Sequence, residues 1–154
     1  MTGRPSPPTR SRQLDEIAEA LPQRASALSR LFLSRTGIGV SRTEAGVMRA
    51  LSLGPRRITD LAASEVVSQP AITLVVNRLE QRGWVERGPA ASDGRVVLVR
   101  LTPRGHEVFD QLRAEYRALL HEEMATLDDQ DVAILARAIE ILDRLIDRLR
   151  GRED

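Results

Sequence analysis

Gln69, Thr73, Asn77 and Arg78 are spaced so that a helix would gather them on one side, while Ile72, Val75, Val76 and Leu79 share another. The first group has the chemistry of base-edge recognition. Gln and Asn amides can pair with adenine, an Arg fork with guanine, and Pro70 or the Thr73 methyl can touch a thymine methyl. Ser68 stands where an N-cap belongs, and the free amides of the first turn could accept a phosphate. The plain alternative is a solvated polar face with no partner. A second group follows at Asp93-Gly94-Arg95, a charged turn. Its arginine could reach a minor groove or a phosphate, with Asp93 bracing it by a charge-assisted pair. Alone, such a triplet is an ordinary surface turn; its place shortly after the polar helix gives it weight.

The elements that must position these residues can be read from the pattern. Leu14, Ile17, Leu21, Ala25, Leu28 and Phe32 recur at three- and four-residue steps, an amphipathic helix to about Arg35. Pro22 lies inside it and is expected to kink or divide it near Leu21. Ser41 and Glu44 form a capping box for a helix ending at Gly54-Pro55. A short helix over about Thr59 to Glu65 precedes the polar one, which runs from Ser68 to Gln81 and closes at Gly83. Trp84–Arg87 and Arg95–Leu101 read as hairpin strands around a turn-rich segment, with Trp84 a core anchor. Thr102 and Pro103 open a long helix, and Asp128 opens the last one.

That last helix carries Leu135, Ile139, Leu142, Ile146 and Leu149 at steps of four, three, four and three, a heptad-like seam. Ile134, Ala138, Ile141 and Leu145 form a second apolar stripe. A helix apolar on two sides needs more cover than its own domain supplies. The expectation is therefore self-association through this helix.

Helix, turn, helix, strand, basic turn, strand is the order of a winged helix-turn-helix. The chain resembles the MarR (multiple antibiotic resistance regulator) family through Ile58-Thr59-Asp60-Leu61-Ala62, Val67-Ser68-Gln69-Pro70-Ala71-Ile72-Thr73 and Asn77 through Arg87. The wing signature Asp93-Gly94-Arg95 with Leu101-Thr102-Pro103 and Gly105 completes the match. The resemblance implies a mainly α (α+β) fold with long N- and C-terminal dimerisation helices. It assigns residues 41–103 to a DNA-binding lobe and 13–36 and 104–150 to a helical dimerisation region of one continuous domain, while residues 1–12, rich in Pro, Ser and Arg, read by composition as a disordered basic arm. It implies double-stranded DNA as partner, read by Ser68, Gln69, Pro70, Thr73, Asn77 and Arg78, with Asp93 and Arg95 in the wing. Leu14, Ile17 and Leu21 would join Leu135, Ile139, Leu142, Ile146 and Leu149 in a homodimer. A small aromatic or phenolic effector would meet Phe32, Met48, Phe109 and Arg113, and release a repressor from a pseudo-palindromic operator. Leu74 departs from the family habit of a basic residue after the recognition-helix threonine, so operator preference does not transfer.

Composition agrees and narrows the alternatives. The net charge of +1 hides a basic middle: residues 42–104 hold ten arginines against six acids, whereas 105–154 hold seven against thirteen. Such asymmetry would present one face to phosphate and repel the other. All basic residues are arginine, which suits phosphate but also reflects a GC-rich coding bias. There is no cysteine, which removes thiol redox chemistry and cysteine metal sites, and the two histidines, His106 and His121, are not paired for a metal. No apolar run is long enough to span a membrane, the N-terminus has no secretory character, and a cytoplasmic, nucleoid-associated place is expected. No nucleophile–base pair or glycine-rich phosphate loop supports an enzyme, and no cofactor is expected. The remaining rival is a winged helix used to dock a protein.

Overall fold

The computed structural model describes residues 9–90 and 94–151. Among them the order is α1 (Arg10–Arg35), α2 (Arg42–Ser52), α3 (Ile58–Glu65), α4 (Gln69–Gln81), β1 (Val85–Pro89), β2 (Val97–Leu101), α5 (Pro103–Met124) and α6 (Asp129–Arg150). This is the mainly α winged helix-turn-helix expected from the pattern. Two compact units divide at Arg113 and Ala114, within α5.

In the first unit, α2, α3 and α4 close around Val47, Met48, Leu51, Leu61, Ile72, Val76 and Leu79, and the hairpin adds Val85, Val99 and Leu101. The spacing of these apolar positions is helical in α2–α4, so each helix turns one stripe inward. The α2 start is the capping box read from the sequence: the Ser41 hydroxyl accepts from the Glu44 amide at 3.2 Å, and Glu44 Oε2 accepts from the Ser41 amide at 2.7 Å. α3 begins one residue earlier than expected, because the Asp60 carboxylate accepts the Arg57 amide at 3.3 Å. Its C-cap, Val66, is left-handed at φ 54° and ψ 46° and 88% exposed. Left-handed backbone is costly for a β-branched side chain. Gly83, at φ +72°, ends the α4 segment in the same region at no such cost.

β1 and β2 pair antiparallel, Val85 with Leu101 and Pro89 with Val97. β2 is shorter than the expected Arg95–Leu101, since Arg95 lies in the turn before it. Arg56 adds a bridge on the other side of β2, exchanging backbone bonds with Val99 at 3.0 and 2.8 Å. At the far end, Thr102 couples hairpin to helix: its amide donates to the Trp84 carbonyl, its hydroxyl donates to the Gly83 carbonyl at 2.7 Å, and the hydroxyl accepts from the Gly105 amide.

Two expectations about the N-terminus need correction. α1 runs unbroken from Arg10 to Arg35 with Pro22 inside it, so proline does not divide the helix. Pro22 is exposed, and water can take the carbonyl that its missing N–H leaves without a donor. Arg10, Ser11 and Arg12 form the first turn of α1 rather than part of a disordered arm; residues 1–8 lie outside the described residues. α1 has no buried residue. In the second unit, α6 starts where Asp128 accepts from the Asp131 amide at 2.8 Å, as its sequence implied, and none of its described residues is buried.

Candidate nucleic-acid interface

Four buried side chains, Ile72, Val75, Val76 and Leu79, seat α4 against the core and settle which side it shows to solvent. Ser68 caps its start, accepting from the Ala71 amide at 3.4 Å. Gln69 and Pro70 are exposed in the first turn, Leu74 is 61% exposed, and Arg78 is exposed near the end. Thr73 and Asn77 lie half-buried between them. The Thr73 hydroxyl donates back to the Gln69 carbonyl at 2.9 Å, which leaves its methyl and its oxygen lone pairs for any partner.

Two of the expected reading residues are also fastened within the fold. Asn77 Oδ1 accepts from Arg87 Nη2 at 2.7 Å, tying the middle of α4 to β1. Arg78 Nε donates to Glu44 Oε1 at 3.2 Å, tying α4 to the start of α2. Glu44 is only 3% exposed. Burial pushes its carboxyl up, but bonds from the Ser41 amide and hydroxyl and from Arg78, with the nearby Arg82 charge, outweigh this and hold it below the usual carboxylate range. Arg82 itself donates to the Gly39 carbonyl at 3.2 Å and lies 4.9 Å from the centre of the Trp84 ring.

Sequence pattern alone assigns these arginine and carboxylate partners no role. Glu44 is visible there only as a capping residue, and Arg87 only as part of a motif. Their partners are 34 and 10 positions away, beyond any local pattern. Arg87 also pairs with Glu80 of α4, and within the hairpin Arg100 Nε donates to Glu86 Oε1 at 2.7 Å. Gly94 and Arg95 are exposed in the turn before β2. Asp93, expected to brace Arg95, lies outside the described residues.

The other sequence-derived sites fall elsewhere. Met48 is completely buried, Phe109 is buried, Phe32 is half-buried, and the exposed Arg113 guanidinium lies 5.9 Å from the Phe109 ring centre. The expected dimer residues are mostly open to solvent in the single chain: Leu14 and Ile17 at 56 and 58%, Ile139 and Leu149 both at 60%. Leu21, Leu135 and Ile146 are also exposed, and Leu142 is half-buried. No helix among the described residues is long and apolar enough to cross a membrane.

Residues 41–97 match the family model for the MarR family, and they contain α2 through the start of β2. An HTH-type transcriptional regulator of Mycobacterium tuberculosis is 36% identical over 87 residues, 56% of this chain and 61% of that protein. The multiple antibiotic resistance protein MarR of Salmonella typhimurium is 37% identical over 81 residues, 51% of this chain and 56% of its own length. The chain thus spans about three-fifths of the mycobacterial relative (61%). Among solved structures, apo wild-type MarR from E. coli superposes with a TM-score of 0.68 at 26% identity, over 84% of this chain and 96% of that one. The transcriptional regulator BldR from Sulfolobus solfataricus superposes at 0.70 and 26%, over 89% and 99%.

Proposed function

From a chain whose residues 41–97 form a MarR family winged-helix domain, we propose a sequence-specific regulator of transcription that binds double-stranded DNA as a homodimer and represses from a pseudo-palindromic operator. The observation that carries this reading is the division of α4. One stripe is buried in the core, and the other holds Gln69, Pro70, Thr73, Asn77 and Arg78 beside an arginine-bearing hairpin. A helix so seated has the dimensions and the chemistry for a major groove. Arg95, in the turn of the hairpin, is assigned to the flanking minor groove or a phosphate, with Asp93 as its brace. Residues 41–103 serve as the DNA-binding lobe in this reading.

Dimerisation is supported by the apolar surface that α1 and α6 leave open. Leu14, Ile17 and Leu21 on one, and Leu135, Ile139, Leu142, Ile146 and Leu149 on the other, are the surface assigned to a second copy, so that 13–36 and 104–150 form the dimerisation region. Exposed apolar stripes of this extent mark contact surfaces. Two copies would set their α4 helices one helical turn apart, roughly 34 Å, for successive major grooves. A small aromatic or phenolic effector is assigned to the neighbourhood of Phe32, Phe109 and Arg113, with Met48 as the buried floor. By favouring a different spacing it would shift the population away from the DNA-binding form. Such a regulator works without catalysis, at the nucleoid in the cytoplasm.

The test is selection of bound fragments from random duplex DNA with the purified protein, followed by affinity measurement across a salt series. An inverted repeat, bound with affinity that falls steeply with salt, is the expected result. Arg95→Ala should weaken binding to all sequences alike, whereas Gln69→Ala should relax choice at one position. Binding insensitive to both salt and Arg95 overturns the reading and favours a protein-docking winged helix.

A further inference from the structure

The Arg87 bond decides which end of the Asn77 amide remains available. Arg87 stands in β1 opposite Val99. Its Nη2 donates to Asn77 Oδ1 at 2.7 Å, and its Nη1 pairs with Glu80, three residues further along α4. A guanidinium has donors only, so the amide atom that faces it must be the oxygen. The Arg87 side chain is 24% exposed, and the pair with Glu80 holds it in place from a second direction. Among the described residues no buried side-chain nitrogen or oxygen lacks a partner. The bonds found for Asn77 use its oxygen, so Nδ2 is the atom left to meet solvent or a ligand.

We infer that Asn77 reads a base mainly through its NH₂ donor, with Arg87 as the positioning residue that sets this polarity. The inference rests on the DNA-binding reading above and sharpens it. An unrestrained asparagine pairs with adenine by accepting from N6 and donating to N7. With Oδ1 already accepting a charge-assisted bond from Arg87, the amide is held in one orientation. Only the oxygen's second lone pair, now a weaker acceptor, is left for N6, so the accepting half of that pair is disfavoured. The remaining NH₂ suits an edge made only of acceptors, which in the major groove is guanine, with O6 and N7 side by side. One turn earlier the polarity is opposite: the Thr73 hydroxyl proton is committed to the Gln69 carbonyl, so that position offers a methyl and an acceptor. The central turns of α4 therefore carry a directional pattern that residue identity alone does not reveal.

Selection from random duplex DNA, run in parallel with unmodified protein, Asn77→Asp, Arg87→Met and Arg87→Lys, tests this. Unmodified protein should prefer guanine over adenine at one position of each half-site, by roughly tenfold. Asn77→Asp keeps an oxygen for Arg87 but exchanges the outward donor for an acceptor, and should move that position toward the amino-bearing bases cytosine and adenine. Arg87→Met frees the amide to rotate and should bring adenine level with guanine there, while Arg87→Lys, which keeps a donor, should preserve the guanine preference. Other positions should not change, which a merely structural role for the pair would not predict. Thermal melting of each variant identifies any that fails to fold, and the remaining variants then decide. Selection of the same base by unmodified protein, Asn77→Asp and Arg87→Met overturns the inference and leaves DNA binding standing. Absence of salt-dependent duplex binding by the unmodified protein overturns both.

Discussion

The carbonyl oxygen of Trp84 occupies the space where a side chain on Gly105 would begin: a Cβ there would lie 1.9 Å from it. The first turn of α5 and the start of the hairpin are thus packed backbone to backbone, with Thr102 hydrogen-bonded to both. Gly105→Ala should destabilise the protein by ~1–3 kcal/mol, as overpacking does, although alanine is the better helix former. Chemical denaturation of the two proteins checks this, and an unchanged or higher midpoint would contradict the close approach.

Glu44 should make stability depend on acid. Its carboxyl titrates below the usual range in the folded chain, so its stabilisation is complete above the unfolded value, about 4.3, and is lost as pH falls through the folded one. Glu44→Gln should cost ~1–2 kcal/mol at neutral pH, through weaker bonds to the Ser41 amide and to Arg78. Melting curves from pH 7 to pH 3 should show the two proteins converging as acid is added. A constant gap would mean that the charge contributes nothing.

Val66 makes the opposite kind of prediction. Its left-handed backbone is unfavourable for a β-branched residue, and its side chain is 88% exposed, so packing offers little compensation. Val66→Gly should leave the fold intact and raise stability by up to roughly 1 kcal/mol. Val66→Asn should gain less. A loss of stability in both would show that the valine side chain has a partner in the assembled protein.

The apolar stripe of α6 gives a prediction about assembly. Ile139 and Ile146 are 60 and 44% exposed, so charging them disturbs little within one chain. Ile139→Glu combined with Ile146→Glu should halve the mass seen by sedimentation while leaving the melting of the 41–103 lobe recognisable. It should also weaken operator binding by roughly 10²-fold or more, as joint engagement of two half-sites is lost. A double variant that sediments like the unmodified protein would direct the search for the interface elsewhere.

How much is legible in the sequence follows from the range over which each feature acts. The Ser41–Glu44 box, the Ser68 cap, the Asp128 cap and the α4 stripe all depend on residues three or four apart, and all can be read directly. The second half of Glu44's role cannot, because Arg78 reaches it only after α2 and α4 have packed. Arg87 is similar: as a strand residue it has no evident task until the hairpin brings it beside Asn77. That Pro22 leaves α1 undivided escapes the sequence for a different reason. A proline's effect depends on whether its neighbours can find water, and burial is not local information. The bond from Arg87 to the Asn77 amide is another feature that the residue type alone does not reveal.

The bridge between Arg56 and Val99 has a bearing on solubility. β2 carries Val97, Leu98 and Val99 in a row, the kind of apolar strand that recruits strands from other molecules when its edge is bare. On one side it is paired along its length with β1, and on the other Arg56 takes both backbone groups of Val99. The outward rim of the hairpin falls instead to β1, where Glu86 and Arg87 bring charge and Pro89 lacks an amide hydrogen to offer. The hairpin assigned above to DNA contact is thereby guarded against strand exchange in a crowded cell.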